Sequence, residues 1–403
     1  MKPRRRSGPR LLLYSHDGQS LGHLRRNLNI AGAVLERRPA AAVLLLAGVP
    51  GVPGVQLPAG ADLVKLPSIR KVDTDRWQPA SLGVDARRLN ALRRDLIAAT
   101  VRTYRPDLLL VDYLPAGMGG ELAVIIDELA ARGRTRLVLG LRDILRDPEV
   151  TLRSWRHNAV RGVLGKYQRV LVYGDRSVID TAAVYGLEDL FDCPVEHTGY
   201  VGPAGPWPER AGARRDVGLD DGWTLALATA GGGAHAYPLL RLALAGFAVL
   251  PVGHRMRMHL LAGPLMDQVD YERLAANLVP GVRLERITDR LPTLMVAADV
   301  VLTGAAYNTL VESIGLGRPV LSMPRPGPSA EQTLRAGLFE RLGLLRTIPA
   351  DCSPAGLAEL LLNVGSSPTP QVQPQLDGRA RVASTLLEML DDRRDDRAAA
   401  AVA

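Results

Sequence analysis

The stretch TGAAYNTLVESIGLGRPVL, residues 303–321, has the pattern of a helix packed between two buried strands. The apolar run ADVVL precedes it and the run RPVLSMP closes it. Near-continuous apolar strands that alternate with helices are typical of parallel sheets covered on both faces. The stretch therefore predicts an α/β fold. One residue departs from the pattern, because Glu312 places a carboxylate in the middle of the predicted helix.

The same alternation runs through most of the chain. Helical patterns such as LGHLRRNLNIAGAVLER and GELAVIIDELAARG separate short apolar runs, and this spacing is typical of strands joined by helices. The predicted strands are RLLLYS, AAVLLLAG, DLLLVDY, RLVLGL, RVLVYG and VEHTG, followed by WTLALATA, FAVLPVG, VRLERI, DVVLTG and RPVLSMP. This order predicts two doubly wound parallel-sheet (Rossmann-like) domains whose strand ends face each other across a cleft.

The domain boundaries follow from composition. The segment GYVGPAGPWPERAGARRDVGLDDG is rich in glycine, proline and charge, which is typical of a linker. We therefore predict an N-terminal domain over residues 1–200, a linker over 201–222 and a C-terminal domain over 223–370. A C-terminal helix with a frayed tail is predicted over residues 371–403.

Charge and composition exclude several classes of partner. The formal net charge of +8 would suggest nucleic acid or an acidic membrane. However, no aromatic residues interleave a basic stripe, so the sequence predicts no nucleic-acid partner. No apolar run approaches the roughly 20 residues that a membrane-spanning helix needs, so any membrane contact is predicted to be peripheral.

The two cysteines, Cys193 and Cys352, have neither metal-ligand spacing nor the pattern of a disulfide framework. A reducing cytoplasm is therefore the predicted location, with peripheral contact at the inner face of the membrane as an extension of it. The sequence predicts no cofactor and no metal site.

A phosphate site is predicted at the start of the central helix. Three small residues, Gly304, Ala305 and Ala306, let a phosphate approach the backbone where helix N–H groups are exposed. Asn308 and Glu312 continue the same helix face. The Glu312 carboxylate is then placed to accept hydrogen bonds from a ribose attached to that phosphate. A carboxylate that reaches solvent or pairs with an arginine such as Arg318 is an equal alternative.

A second glycine-rich turn lies in LATAGGGAHAYPLL. Gly231, Gly232 and Gly233 stand between a predicted strand and a helix, where they can cradle a diphosphate. A tight turn with nothing bound explains the same glycines.

The loop YSHDGQSLGHLRRN follows the first predicted strand. His23 falls at the start of the next helix, and a neutral histidine there is a candidate general base. A helix-capping role is the alternative for His23. His16 and Asp17 form a nearby imidazole and carboxylate pair that can orient or replace it.

The segment ADVVLTGAAYNTLVESIGLGRPVLSMPRPGPSAEQTLRA resembles the donor-binding segment of two-domain glycosyltransferases of the GT-B fold. The MurG-like family 28 enzymes are the nearest likeness. TAGGGAHA is similar to the glycine loop of that family, RITDRLPTLMVAADVV to its nucleobase segment, and LGHLRRN to its Gly-His at the first strand end. The likeness covers most of residues 11–345 and is strongest in the C-terminal half.

This resemblance implies residue roles. Glu312 would hold the ribose hydroxyls, and the turn with the helix start would hold the diphosphate. Ile287 and Thr288 would contact the nucleobase, with uridine favoured, and Glu331 and Gln332 would contact sugar hydroxyls. The donor-binding residues predicted from pattern and resemblance together are Gly231, Gly232, Gly233, Ile287, Thr288, Gly304, Ala305, Ala306, Tyr307, Asn308, Glu312, Glu331 and Gln332.

The N-terminal half departs from the family pattern. SLGH replaces the Thr-Gly-Gly-His of MurG, Gly233 stands where MurG has Ser, and GLRDILRDPE has no MurG counterpart. The acceptor is therefore unknown, a lipid or a small molecule that offers a hydroxyl. Two predicted strands of this half end at Asp112, Arg142 and Asp143, so these residues are predicted to line the acceptor site. Helix capping and a salt bridge explain the three residues equally well.

The function predicted from the resemblance is that of a metal-independent, inverting glycosyltransferase that moves a hexose from a nucleotide diphosphate sugar, with UDP-sugar favoured, to a hydroxyl acceptor. His23 would act as general base, with His16 or Asp17 as substitutes. Two alternatives stay open, a nucleotide-sugar epimerase of the same fold and a non-catalytic nucleotide-sugar binder.

Overall fold

The computed structural model describes residues 8–16, 21–49, 56–73, 76–325, 327, 330–364 and 370–402. The chain divides into two compact units. Unit 1 comprises Met1–Val201 together with Pro374–Ala403, and unit 2 comprises Gly202–Gln373. Among the described residues, no helix combines the length and the apolar character needed to cross a bilayer.

The elements are numbered in chain order. The strands are β1 Arg10–Ser15, β2 Ala42–Ala47, β3 Ala61–Lys65, β4 Ile69–Asp73, β5 Arg76–Pro79, β6 Leu108–Asp112, β7 Arg136–Arg142, β8 Arg169–Tyr173, β9 Val195–His197, β10 Thr224–Thr229, β11 Met256–Leu261, β12 Val282–Glu285, β13 Val300–Thr303, β14 Val320–Ser322 and β15 Arg346–Thr347. The helices are α1 Gly22–Arg37, α2 Ala86–Tyr104, α3 Ala123–Arg132, α4 Pro148–Trp155, α5 Asn158–Leu164, α6 Thr181–Tyr185, α7 Leu187–Leu190, α8 Arg210–Asp216, α9 Tyr237–Ala248, α10 Gln268–Ala275, α11 Leu291–Ala297, α12 Tyr307–Gly315, α13 Glu331–Arg341, α14 Pro354–Leu362 and α15 Gly378–Val402. A 3₁₀ turn lies at Met118–Gly120.

Unit 1 is built on a seven-stranded sheet in the order β3-β2-β1-β6-β7-β8-β9. All its strand pairs are parallel. The central strands are buried along almost their whole length, as their apolar runs predict. The order reverses at β1 and β6, so the carboxyl ends of these strands meet at a topological switch point, where α/β sheets bind ligands. A separate antiparallel pair, β4 and β5, lies outside this sheet.

Unit 2 has a six-stranded parallel sheet in the order β12-β11-β10-β13-β14-β15. Its switch point lies between β10 and β13. The two turns predicted to bind phosphate follow these same two strands. The prediction of two doubly wound parallel-sheet domains is confirmed.

One predicted strand, FAVLPVG, is wrong. Its first residues form the last turn of α9, where Phe247 is 2% exposed and packs in the core. The strand of this region is β11, with the sequence MRMHLL, which the apolar-run criterion missed because Arg257 and His259 interrupt it.

The segments assigned to a linker and a tail also differ from the prediction. The supposed linker contains α8, whose buried Ala213 packs with residues of α11, so it belongs to unit 2. Helix α15 packs on α1 in unit 1. Arg38, the residue after α1, forms a two-bond ion pair with Asp391 of α15, with distances of 2.8 and 2.7 Å. The helix extends to Val402, where a frayed tail was predicted.

Candidate functional site

The predicted catalytic and acceptor residues of unit 1 come from neighbouring strand ends. Ser15, the last residue of β1, lies beside Asp112, the last residue of β6, and Asp112 lies beside Gly140 of β7. Because the three strands are parallel, the residues that follow them emerge at one edge of the sheet. Helix α1 begins near the same edge and carries His23 as its second residue.

His23 and Asp112 form a buried pair. Nδ1 of His23 lies 3.0 Å from Oδ2 of Asp112, and the two residues are 9% and 0% exposed. Arg26 completes the cluster, with Nη2 at 2.9 and 2.6 Å from the two carboxylate oxygens. Burial alone would raise the pKa of Asp112, but the Arg26 guanidinium and His23 together lower it to about 2. The carboxylate is therefore ionised at neutral pH.

Asp112 thus lies on the Nδ1 side of the His23 ring. The sequence had predicted Asp112 as a lining residue of the acceptor site. At 0% exposure, and with both oxygens bonded to Arg26, its carboxylate is held inside the protein. A buried carboxylate that contacts the Nδ1 of a histidine is the arrangement that orients a general base.

His16 lies against His23, with the ring centroids 4.7 Å apart. Its ring also contacts those of Trp77 and Tyr113, with centroid distances of 5.7 and 5.9 Å. Burial and the neighbouring His23 lower the pKa of His16 well below its usual value, so the ring is neutral at neutral pH. Asp17, the predicted partner of His16, lies outside the described residues.

Of the other two predicted acceptor residues, Arg142 lies in the same cluster and Asp143 turns inward. The guanidinium carbon of Arg142 is 4.5 Å from the centre of the Tyr113 ring. Asp143 is 0% exposed, and its Oδ1 accepts a hydrogen bond from the backbone N–H of Ile144. Tyr113 itself has a φ of 75°, a left-handed conformation that is strained for a residue with a side chain. Such strain is concentrated at functional sites.

In unit 2, the predicted phosphate turn joins β13 to α12. Ala305 has a φ of 57°, so this turn also holds a non-glycine residue in the left-handed region. Ala306 is the residue before the first turn of α12, and its methyl side chain cannot accept a hydrogen bond from the helix. The start of a helix is a place where anions bind, because its N–H groups and the helix dipole point toward them.

Glu312 is buried on α12, with 3% of its surface exposed. It does not extend to solvent, which was one of the alternatives. Arg318, its predicted ion-pair partner, donates instead to the backbone oxygens of Leu316 and Ala298. The carboxylate thus lies inside unit 2 on the helix whose N-terminus faces the phosphate turn. Asn308 is half-buried one turn earlier, and the ring of Tyr307 is buried.

Glu331 and Gln332 begin α13, and both contact neighbours within unit 2. Glu331 pairs with Arg335 at 2.9 Å, and Arg335 also donates to the backbone oxygen of Ala305 at 3.1 Å. Gln332 Oε1 accepts a hydrogen bond from the backbone N–H of Arg325. These contacts connect α13 to the turn after β13 and to the loop after β14. The two residues predicted to contact sugar therefore border the predicted phosphate turn.

The glycine loop after β10 packs tightly against the loop after β11. Gly233 has a φ of 95°, and a Cβ at this position would lie 2.2 Å from the backbone oxygen of Ala262. Leu265 N–H donates to the Gly232 oxygen, which joins the two loops. Gly233 is thus required by packing, which supports the tight-turn alternative for this residue. Gly231 also has a positive φ, 65°, but open space surrounds its Cβ position.

We therefore expect Gly233→Ala and Gly231→Ala to differ in cost. Both substitutions carry backbone strain of about 1–2 kcal/mol. Only Gly233→Ala adds a steric clash, which costs about a further 1–3 kcal/mol. Urea denaturation of the two variants measures the difference, and equal losses of stability would show that the loop contact is not rigid.

The predicted nucleobase segment follows β12. Ile287 is 49% exposed, and Thr288 Oγ1 accepts a hydrogen bond from the Arg290 N–H. The exposed isoleucine is an apolar surface of the kind on which a planar base can pack. The structure does not bring Ile287 into a described contact with the residues of the phosphate turn.

Sequence reasoning missed Arg26 and Arg335. Each is 1% exposed and fully buried, although arginine is rarely buried without a partner. Both lie on helices that follow a predicted ligand loop, three or four residues after another predicted site residue. That helical spacing was the available signal, and for Arg335 it includes the carboxylate partner Glu331. The Asp112 partner of Arg26 and the Ala305 backbone partner of Arg335 are distant in sequence.

No protein-family model matches the chain. An uncharacterized glycosyltransferase of Methanopyrus kandleri is 28% identical over 242 residues, which cover 58% of this chain and 65% of that protein. The aligned part is thus less than two thirds of that relative's own length. The UDP-N-acetylglucosamine–N-acetylmuramyl-(pentapeptide) pyrophosphoryl-undecaprenol N-acetylglucosamine transferase of Paenarthrobacter aurescens is 25% identical over 355 residues, 86% of this chain and 85% of that protein.

Solved structures share the fold over nearly the whole chain. MurG of Acinetobacter baumannii superposes with a TM-score of 0.55 and 12% identity, covering 96% of this chain and 99% of that one. The calicheamicin glycosyltransferase CalG4 gives a TM-score of 0.58 and 17% identity, with coverage of 97% and 98%. A Listeria monocytogenes protein assigned as a UDP-N-acetylglucosamine 2-epimerase gives 0.60 and 10%, with coverage of 96% and 97%. The chain is a GT-B-fold relative of the glycosyltransferases and resembles the MurG-like enzymes of family 28.

Proposed function

We propose that the protein is a metal-independent, inverting glycosyltransferase that moves a hexose from a nucleotide diphosphate sugar, with UDP-sugar favoured, to a hydroxyl acceptor. The observation that carries this proposal is the buried His23–Asp112 contact of 3.0 Å at the switch point of unit 1. A binding protein has no need of an imidazole oriented by a buried carboxylate, whereas an enzyme that deprotonates a hydroxyl does.

The proposed reaction is a single displacement. His23 takes the proton of the acceptor hydroxyl through Nε2 while the oxygen attacks the anomeric carbon of the donor. The bond from that carbon to the diphosphate oxygen breaks, and the nucleoside diphosphate leaves with the electron pair. Attack from the face opposite the leaving group inverts the anomeric configuration. Asp112 stabilises the imidazolium that forms, because its carboxylate is ionised and 3.0 Å from Nδ1.

Unit 2 supplies the proposed donor site. The N-terminus of α12 would present a positive partial charge to the diphosphate, which gains negative charge as it leaves. Glu312 follows on the same helix and would accept hydrogen bonds from the ribose hydroxyls. The exposed Ile287 would pack on the base. His235 lies in the loop after β10 and Arg325 in the loop after β14. Burial lowers the pKa of both side chains, and Arg325 further lowers that of His235.

Glu312→Ala is expected to weaken binding of UDP. Loss of a charged acceptor of ribose hydrogen bonds costs roughly 1.5–3 kcal/mol per bond, which is about a tenfold or larger rise in Kd. Calorimetric titration with UDP measures the effect. Glu359→Ala is the matched control, because Glu359 is exposed on α14 of the same unit. An unchanged Kd in the Glu312 variant would assign the carboxylate a structural role.

Turnover is expected to continue in excess chelator. The α12 N-terminus provides the positive field that the leaving diphosphate needs, so the proposed mechanism uses no metal ion. The measurement is nucleoside diphosphate release before and after addition of EDTA. Complete loss of turnover that magnesium or manganese restores would contradict a metal-free mechanism.

A panel of nucleotide sugars separates this function from its rivals. A glycosyltransferase releases nucleoside diphosphate much faster with a hydroxyl acceptor than without one. An epimerase changes the sugar without needing an acceptor, and a binder changes nothing. The fold alone does not distinguish the three functions, because the Listeria monocytogenes protein assigned as an epimerase has the same fold.

A further inference from the structure

Arg26 is a buried cation beside the proposed general base. It lies on α1, three residues after His23, and its side chain is 2% exposed. Its Nη2 contacts both oxygens of Asp112, at 2.9 and 2.6 Å, and lies 2.9 Å from Nδ1 of His23. Its guanidinium carbon also lies 5.3 Å from the centre of the Tyr173 ring. A buried arginine held from two sides in this way has a fixed position.

The three short contacts of Nη2 cannot all be hydrogen bonds that it donates. An arginine Nη2 carries two hydrogens and accepts none. The two Asp112 oxygens use both of them at 2.9 and 2.6 Å. A donation to Nδ1 would require a lone pair there, and that lone pair would face the ionised Oδ2 of Asp112 at 3.0 Å. This repulsive arrangement is avoided when Nδ1 carries the proton and donates it to Oδ2.

We propose that Arg26 is a positioning residue that fixes the Asp112 carboxylate, and through it the tautomer of His23 that has its proton on Nδ1. This inference rests on the proposed function, in which Nε2 of His23 must have a lone pair to accept the acceptor proton. Arg26 touches neither substrate in this account. It acts by holding Oδ2 of Asp112 in line with Nδ1, because Nη2 donates to both carboxylate oxygens and so restricts the rotation of the carboxylate.

The two tautomers have opposite chemistry at Nε2. With the proton on Nδ1, Nε2 is a base, and with the proton on Nε2 it is only a donor. Without Arg26 the carboxylate can rotate, and His23 loses the contact that selects the productive form. Lysine at this position keeps the positive charge but places it on a flexible chain without the planar guanidinium, so it is expected to restore the tautomer only in part.

The test is ¹⁵N NMR of the imidazole groups, together with kinetics, on the full-length chain. The His23 signals are assigned by their loss in His23→Ala. In the wild type we expect a protonated Nδ1 and a lone pair on Nε2. Arg26→Met should give mixed tautomers and lower kcat on the order of 10²-fold, the cost of a misplacement of about 1 Å, with an unchanged KM for the donor. Arg26→Lys should fall between the two.

Arg93→Met is the matched control. Arg93 is 0% exposed and forms a two-bond ion pair with Glu121, at 2.7 Å for each bond, in the same unit. The substitution removes a buried ion pair comparable to that of Arg26 with Asp112. We therefore expect Arg93→Met to lower stability and to leave the His23 tautomer as in the wild type.

Three results would overturn the inference. The first is a proton on Nε2 of His23 in the wild type, and this measurement does not depend on the folding of any variant. Another is an unaltered tautomer in Arg26→Met or, if that chain does not fold, in Arg26→Lys. The third is a kcat within about threefold of the wild type in a folded Arg26→Met variant, a loss too small for a lost orientation. If the wild type transfers no sugar, the proposed function fails, while the tautomer measurement still decides what Arg26 does.

Discussion

Replacement of His23 by alanine is expected to lower kcat by roughly 10²- to 10⁴-fold, the range typical of a lost general base. The reason is geometric, since Nδ1 of His23 is held 3.0 Å from an ionised, buried carboxylate at the end of β6. Donor affinity should hardly change, because the proposed donor residues belong to unit 2. Steady-state kinetics with calorimetric titration of UDP separates the two effects.

His16→Ala is the matched control for His23→Ala. His16 leaves the same strand end and lies 4.7 Å from His23, but its contacts are with rings. A neutral, buried imidazole with a pKa well below its usual value is a poor proton acceptor. If His16→Ala abolishes turnover and His23→Ala keeps more than about a third of it, the base is His16. If neither substitution matters, a carboxylate such as Asp17 or Asp143 becomes the candidate.

Asp112→Asn is expected to be nearly as damaging, with a loss in kcat of up to roughly 10⁴-fold, the scale observed when the carboxylate behind a catalytic histidine is replaced by an amide. An amide that presents its N–H to Nδ1 favours the tautomer with the proton on Nε2. The same change removes the ionised Asp112 partner of the buried Arg26, and breaking a buried ion pair destabilises by about 3–5 kcal/mol. Kinetics must therefore be measured where urea denaturation shows the variant to be folded.

Glu121→Gln controls for that loss of stability. Glu121 is 4% exposed and pairs with the buried Arg93, so the substitution also removes a buried ion pair from unit 1. It does not touch His23 within the described contacts. If Glu121→Gln lowers kcat as much as Asp112→Asn does, the kinetic effect of Asp112 is a general consequence of a weakened fold.

Apolar runs predicted most of the fold, because a short continuous apolar run is the main sequence feature of a parallel strand that is buried on both faces. The run at β1 is buried from its second residue onward, and the run at β13 is buried throughout. Strand β11 was not predicted, because Arg257 and His259 interrupt its apolar run. Helix α8 was also missed, since glycine, proline and charge in the flanking segments hid this short helix with a single buried residue, Ala213.

The candidate site was predictable only where its residues are local in sequence. The loops after β10 and β13 and the position of His23 follow from strand, turn and helix order. The pairing of His23 with Asp112 spans 89 residues, and that of Arg26 with Asp112 spans 86. No local pattern encodes such contacts, because they depend on which strands become neighbours in the sheet. For the same reason the sequence did not predict that the Asp112 carboxylate contacts Nδ1 of His23.

Transfer of a labelled sugar tests the central claim most directly. The chain is incubated with UDP-sugars labelled in the hexose and a panel of alcohols, phenols and lipid-linked sugars, and the products are analysed by mass spectrometry and NMR. We expect label on an acceptor, an equal amount of released UDP and an inverted anomeric configuration. In His23→Ala, labelled product and UDP should form roughly 10²- to 10⁴-fold more slowly. Conversion of the labelled hexose to an epimer without transfer, or a retained configuration in the product, would contradict it.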